Sequence, residues 1–432
     1  MRLRIEEALV KGSDYVRSAL VCATTAVLSG CGALPLNLSK GQGDMPPIGS
    51  PGASQRSAGI AAPASSSYQL LYSFGGGADG VNPYAGLINV HGTLYGTTYG
   101  GGANGYGTVF NVTTTGKEKV LYSFSGGSAD GAAPYGGLVD VNGTLYGTTF
   151  YGGAHGYGTY YPGGTVFSVR RSGAEKVLYS FGGSSADAFG PYADLIDVNG
   201  KLYGTTYDGG AYYQGTVFSV TTTGTEKVLH SFGYGYDGSQ PQAGLINVKG
   251  VLYGTTPIGG ANGIGTVFSL TRSGAEKVTH SFTGRPDGEN PDAALINVKG
   301  TLYGTTSTGG RYYAGTVFSI TATGKEKMLY SFCSRHKCAD GSGPEAGLIN
   351  VSGTLYGTTI YGGGTAQCGS IGCGTVFRIT TAGEEKVLYS FGSRSADGAN
   401  PYAGLINVNG TLYGTTTAGG AYGSGTVFAL TP

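Results

Sequence analysis

Charge is scarce in this sequence. Only 12% of its 432 residues are charged, the two signs almost cancel to +1, and Lys and Arg form no cluster, so the electrostatic footprint of a nucleic-acid binder is missing. Helical periodicity is absent after residue 68, which excludes an α or α/β domain there. No HExxH, GxSxG or phosphate-binding loop is present, and no carboxylate pair stands out from its surroundings, so the sequence offers no recognisable catalytic centre. The main N-terminal apolar stretch, Ala19 to Gly30, is too short to span a bilayer stably. What abounds is glycine, at 84 residues, and tyrosine, at 33. Together with hydroxyl residues they predict a weakly charged surface.

Much of that glycine belongs to one repeated unit. LYGTT stands at 94–98, 145–149, 202–206, 252–256, 302–306, 355–359 and 412–416, and GTVF follows each copy. Each unit holds four short strand candidates rich in β-branched and aromatic residues: a (AGLINV), b (GTLYGTT), c (GTVFSV) and d (EKVLYSF). Between a and b stands a two-residue turn ending in Gly, such as His91-Gly92 or Asn142-Gly143, the signal of a primed-type antiparallel hairpin. The a-to-b and c-to-d connections keep one length throughout. The b-to-c connection grows from eight residues to fourteen in units two and six, and the d-to-a connection also varies. In an up-and-down sheet these two sets lie on opposite edges, so one face is fixed and the other free to vary.

Four-stranded antiparallel sheets repeated seven times predict an all-β, seven-bladed β-propeller. The ends complement one another: residues 68–74 read as a strand d without its a, b and c, and the chain stops after a strand c without its d. Strand 68–74 is therefore expected to complete the C-terminal blade and close the ring. The glycines would serve tight turns and crowded blade contacts.

The pattern DG..P.AGLI.V.GTLYGTT..GG...GTVF..T..G.EK.LYSF, nearly continuous over 68–432, resembles the GloVer tandem repeat of bacterial secreted or anchored proteins. That resemblance implies an exported, often anchored protein and implies no activity. The unit is also loosely similar to kelch repeats, but those usually carry a conspicuous Trp and this chain has none, so no kelch partner is carried over.

Arg2, Arg4, Lys11 and Arg17 precede the apolar stretch, and Leu28-Ser29-Gly30-Cys31 resembles a bacterial lipobox. Residues 1–30 are read as a lipoprotein-type signal, Cys31 as the lipidated residue and 31–67 as a Pro/Ser/Gly/Ala tether. Ordinary secretion is the alternative; Glu6, Glu7 and Asp14 are unusual so early in a signal. By the same resemblance, Gly32 in place of Asp favours the outer membrane. Several acyl chains on one cysteine would suffice for stable anchoring.

The Asp series from Asp79 to Asp397 and the Asn/Asp series from Asn89 to Asn407 are expected to serve their own turns. The Glu-Lys pair opening strand d, as at Glu118-Lys119, is expected to charge an outer edge. Unit six is the departure, with Cys333-x4-Cys338 and Cys368-x4-Cys373. Disulfides are favoured over a zinc site or free thiols in an exported chain, and the local pairing is chosen among three possibilities. No metal or cofactor is expected. Ligand contacts are placed on the variable face, at Tyr151, His155, Tyr157, Tyr160, Tyr161, Tyr212, Tyr213, Arg311, Tyr312 and Tyr313, because Tyr offers a large contact area at low entropy cost. The expected function is a monomeric, lipid-anchored binding module for a glycan or an envelope protein. The alternatives are a polysaccharide hydrolase or lyase, marked by an acid unique to one blade in a pocket, and a purely structural envelope component.

Overall fold

The computed structural model describes residues 66–155, 163–184, 186–233, 236–321, 323–365 and 367–432, and all statements below concern these. The signal, Cys31 and the tether up to residue 65 lie outside them, as do Tyr157, Tyr160 and Tyr161.

Each unit folds into one four-stranded antiparallel sheet in the order a-b-c-d. In blade one these strands are Ile88–Val90, Thr93–Thr98, Thr108–Thr113 and Glu118–Ser123. Blades two to six repeat that order. Blade seven takes a, b and c from Ile406–Val408, Thr411–Thr416 and Thr426–Thr431, and its outer strand is Ser67–Ser73 from the other end of the chain. The borrowed strand runs antiparallel from Ser67 opposite Thr431 to Ser73 opposite Thr426, and carries the same one-residue irregularity as the other d strands. Ring closure follows the complementarity of the two ends. The seven a strands surround the axis.

The a-to-b hairpins confirm the primed turns: His91 and Gly92 have φ of 51° and 84°, and each of the other six pairs also has positive φ. The side chain of Asn89 accepts the N–H of Gly92, and the equivalent Asn or Asp does the same in every blade.

The core lies between blades. In every seam the Phe ending strand d meets the Phe of strand c in the next blade edge to face, with ring centres 5.0 to 5.2 Å apart. The closing seam obeys the rule, with Phe74 on Phe110. This packing explains the central glycine of LYGTT: a Cβ at Gly96 would stand 2.8 Å from the Phe110 ring and 2.9 Å from Leu87. The two threonines have separate tasks. The first donates its hydroxyl across the seam to a carbonyl before the next strand a, as Thr97 does to Gly136 and Thr415 to Ala85. The second pairs with the Thr of GTVF, as Thr98 with Thr108 at 2.8 Å.

Strand d holds one correction. Lys119 is exposed as expected, but Glu118 is half-buried and faces Asp79 of the neighbouring blade, so the pair does not simply charge an outer edge. Burial first, then Asp79, pushes the Glu118 carboxyl up to about 7. Glu175, Glu226, Glu276 and Glu326 repeat this arrangement, and Glu385, where burial is opposed by the Arg335 guanidinium 2.8 Å away, joins them; each is also pushed up to about 7. At the seam before blade seven the Glu is replaced by Tyr68, stacked on Tyr389 at 3.9 Å.

Candidate functional site

The seven Asp residues of the d-to-a loops are turn anchors. Asp130 accepts hydrogen bonds from the Ser125 and Gly131 backbone N–H groups and from the Tyr122 hydroxyl, so the strand-d tyrosine is a partner that the turn reading missed. His230 and His280 take the tyrosine's place beside Asp237 and Asp287. Identical work in all seven blades leaves these groups committed to structure.

Past each Asp, the d-to-a loop is tied to the b-to-c loop of the blade it enters. Val81 bridges Gly100, and Gly131–Ala132 pairs with Tyr151–Gly152; an equivalent clip occurs at all seven positions. The residue after the clip has positive φ in every blade, for instance Asn82 at 53° and Asn290 at 53°. Three of these asparagines donate across the seam: Asn82 to the Thr417 carbonyl, Asn290 to that of Pro257, and Asn400 to that of Ile360. A proline follows, then one residue that faces the axis. The variable loops are thus fastened at their inner ends.

That axial position is where the sevenfold pattern breaks. It holds Tyr84, Tyr135, Tyr192, Gln242, Asp292, Glu345 and Tyr402 in blades one to seven, and all seven line one central cavity of about 300 Å³. The tyrosines come from four adjacent blades and form a continuous arc: Tyr84 lies 5.3 Å from Tyr402 and 5.4 Å from Tyr135, and Tyr135 stacks on Tyr192 at 4.5 Å. Tyr99 and Phe150, which follow strand b, back the arc at 4.7 and 5.6 Å from Tyr135. The remaining three blades supply the polar side.

Asp292 accepts the Ser307 hydroxyl at 2.6 Å; burial pushes its carboxyl up to about 6, and that hydrogen bond opposes the shift. Glu345 makes no hydrogen bond to a described residue, and burial, with the neighbouring Asp292 charge second, pushes it up to about 8. At neutral pH Asp292 is mostly a carboxylate and Glu345 mostly an acid. A third acid, Asp194, occupies the usual glycine position of strand a in blade three and accepts the backbone N–H of Gly137. It is exposed to the channel, and the protein around it raises its pKa. Asp194 also lines a second cavity, of about 440 Å³, reached by the strand-a residues Asn89, Asp140 and Asp197.

The family model of the Gloeobacter/Verrucomicrobia repeat matches residues 60–162 and 160–371. The chain belongs to that family. No curated protein matches its sequence. Among solved structures, a putative 6-phosphogluconolactonase from Bacteroides uniformis is 15% identical, with a TM-score of 0.47, and the match covers 76% of this chain and 88% of that one. A mutant of puromycin hydrolase complexed with PGG is 11% identical, with a TM-score of 0.50, and the match covers 78% of this chain. The chain spans 50% of the hydrolase, and at 11% identity that likeness speaks to fold alone.

In this Gloeobacter/Verrucomicrobia repeat protein the described tyrosines named from the sequence, Tyr151 aside, sit apart from the axial ring. Tyr212, Tyr213, Tyr312 and Tyr313 are 63%, 54%, 50% and 62% exposed on the b-to-c loops. Tyr212 reaches toward Gly233, just beyond the outer strand, and the Arg285 guanidinium lies 5.4 Å from the Tyr313 ring centre. Arg311 is exposed beside them, and His155 packs over Gly182 and Gly183. Among the described residues of that set only Tyr151 adjoins the arc, its ring 4.8 Å from Phe150. Cys333 and Cys338 lie at bonding distance, as do Cys368 and Cys373, which is the local pairing. A short 3-10 turn, His336–Cys338 or Gly369–Ile371, accompanies each pair.

The expectation that no carboxylate pair stands out is corrected: Asp292 and Glu345, 53 residues apart, line the same cavity and are each unique to one blade at that position. The missed signal was present. Aligning the seven copies on their prolines shows that the next position holds Tyr, Gln, Asp or Glu.

Proposed function

We propose that the protein is a binding module for a glycan, taken at the axial mouth on the variable-loop face. The observation that carries this reading is the asymmetry of the axial ring, where four tyrosines oppose Gln242, Asp292 and Glu345. Apolar ring faces beside a few polar groups in a concave site suit sugars, which present C–H faces and hydroxyl edges. Tyr151, His155, Arg311, Tyr212, Tyr213, Tyr312 and Tyr313 extend the same face outward and would contact the remainder of a longer chain, together with Tyr157, Tyr160 and Tyr161. Export and lipid anchoring through Cys31 to the cell envelope complete the proposal; Cys31→Ala should abolish fatty-acid labelling and membrane fractionation without unfolding the ring.

Calorimetry against an oligosaccharide panel tests the reading. Tyr84→Ala and Tyr402→Ala should each weaken binding by about tenfold or more, and rim changes such as Tyr212→Ala by less. Rim variants that abolish binding while the axial ones leave it intact would move the site; an envelope protein bound where no glycan binds would replace the ligand class. A second reading, hydrolysis or elimination on a polysaccharide, is favoured by one observation, the differently tuned pair Asp292 and Glu345. Product release from the bound glycan, lost in both Asp292→Asn and Glu345→Gln, would establish it.

A further inference from the structure

No Lys, Arg or His is among the residues lining the central cavity, although Asp194, Asp292 and Glu345 all line it. Three carboxyl groups line one cavity without a counter-charge among the described residues that line it. An enclosed charge without a partner is costly, so such a site favours neutral acids or a ligand that brings the opposite charge. Tyr84, Tyr135, Tyr192 and Tyr402 line the same cavity, and the electron-rich faces of aromatic rings attract a cation. An inorganic ion fits less well: among the described residues no group of three or more His, Cys, Asp and Glu could hold a metal.

We propose that the axial mouth takes an amino sugar, whose ammonium group lies between the tyrosine arc and Asp292 with Glu345, and that seating this cation drives a proton off the carboxyl pair. The proposal rests on the glycan reading above and narrows it to basic glycans. Glu345 is the group that gives up the proton, since burial and Asp292 keep it protonated at neutral pH, with Tyr84, Tyr192, Tyr361 and Tyr402 the other titratable groups around it. Those phenols remain neutral throughout, because burial raises each of them above its ordinary value. The sign follows. A cation binds the ionised pair better than the protonated one, so affinity rises with pH until Glu345 is ionised in the free protein, near pH 8, and then levels off.

The test uses the full chain and a fixed-charge probe, a glucosamine hexamer trimethylated on nitrogen, beside an N-acetylglucosamine hexamer of equal length. Isothermal titration in buffers of different ionisation enthalpy counts the protons exchanged. The expected result is binding of the cationic hexamer about tenfold or more tighter than the acetylated one. It should release close to one proton at pH 6.5, with affinity increasing from pH 6 to 8. Glu345→Gln should remove the proton release and flatten the pH profile, and Asp292→Asn should weaken the cationic hexamer more than the acetylated one. Equal or tighter binding of the acetylated hexamer without proton release overturns the amino-sugar proposal and leaves the glycan reading standing. Preference for a pentalysine peptide over both hexamers overturns both. Binding of neither hexamer overturns the proposal, and the neutral oligosaccharide panel then decides the glycan reading separately.

Discussion

The closing seam is where the ring should be weakest, and Phe74→Ala measures how much holds it. Phe74 is fully buried, its ring stands 5.1 Å from Phe110, and its backbone N–H donates to the Gly425 carbonyl. Around it pack Leu87, Leu94, Val112 and Val427, all nearly inaccessible. Truncating such a Phe costs about 3–5 kcal/mol through lost burial and the cavity left behind, of which the edge-to-face pair supplies about 1. Phe282→Ala removes an equivalent ring, 5.1 Å from Phe318, at an internal seam. The two changes are alike in contacts and differ in connectivity. Every internal d strand is joined to its own strand c by a short turn, whereas Ser67–Ser73 is held to blade seven by strand pairing and packing. A loss of about 4 kcal/mol at the closing seam should therefore appear as local opening, with amide exchange in Ser67–Ser73 and Thr426–Thr431 accelerated about 10³-fold. Phe282→Ala should instead lower stability without a comparably localised opening. Uniform loss of protection in both variants, or a cost below about 1 kcal/mol for Phe74→Ala, would refute the reasoning.

Deleting residues 68–74 goes further, since it leaves Thr426–Thr431 as an open edge; light scattering should report self-association, and a variant as monomeric and stable as the parent would count against closure. Gly204→Ala places a Cβ 2.8 Å from both Leu195 and Phe218, and chemical denaturation should record a loss of about 1–3 kcal/mol. Glu118, Glu175, Glu226, Glu276, Glu326 and Glu385 titrate near 7 in the fold against an ordinary 4.5, so the folded state holds more protons between those values. Their contribution is complete below about pH 4.5 and is lost as pH rises through 7; after discounting for their partial exposure, the melting temperature should fall by roughly 5 °C between pH 5 and pH 8. Replacing Glu118 and Glu175 by Gln should flatten that slope, and a melting temperature that climbs over the same range would contradict the assignment.

The linear sequence determines the blade because everything within a blade is local. Hairpin turns, alternating strand residues and fixed connection lengths act over a few residues, and His91-Gly92 or Asn142-Gly143 specifies its turn without help from distant chain. Closure too was legible, since a lone strand d at residues 68–74 and a missing one after residue 431 imply each other. The roles of the LYGTT glycine and threonines were not, because each is defined by the adjacent blade: Gly96 by the packing of Phe110 and Leu87, Thr97 by the Gly136 carbonyl. The axial mouth was hidden more completely. Tyr84, Asp292 and Glu345 read as unremarkable residues after a proline, separated by tens to hundreds of positions. Only the sevenfold rotation brings them to a single cavity, where burial raises both acids and the Asp292 charge raises Glu345 further. The tyrosine doublets of the b-to-c loops drew attention in the sequence because they were conspicuous, yet a loop's radial position is set by the twist and tilt of the blade that carries it. Repetition in the chain therefore defines the scaffold, and the geometry of the ring decides which departures from repetition meet.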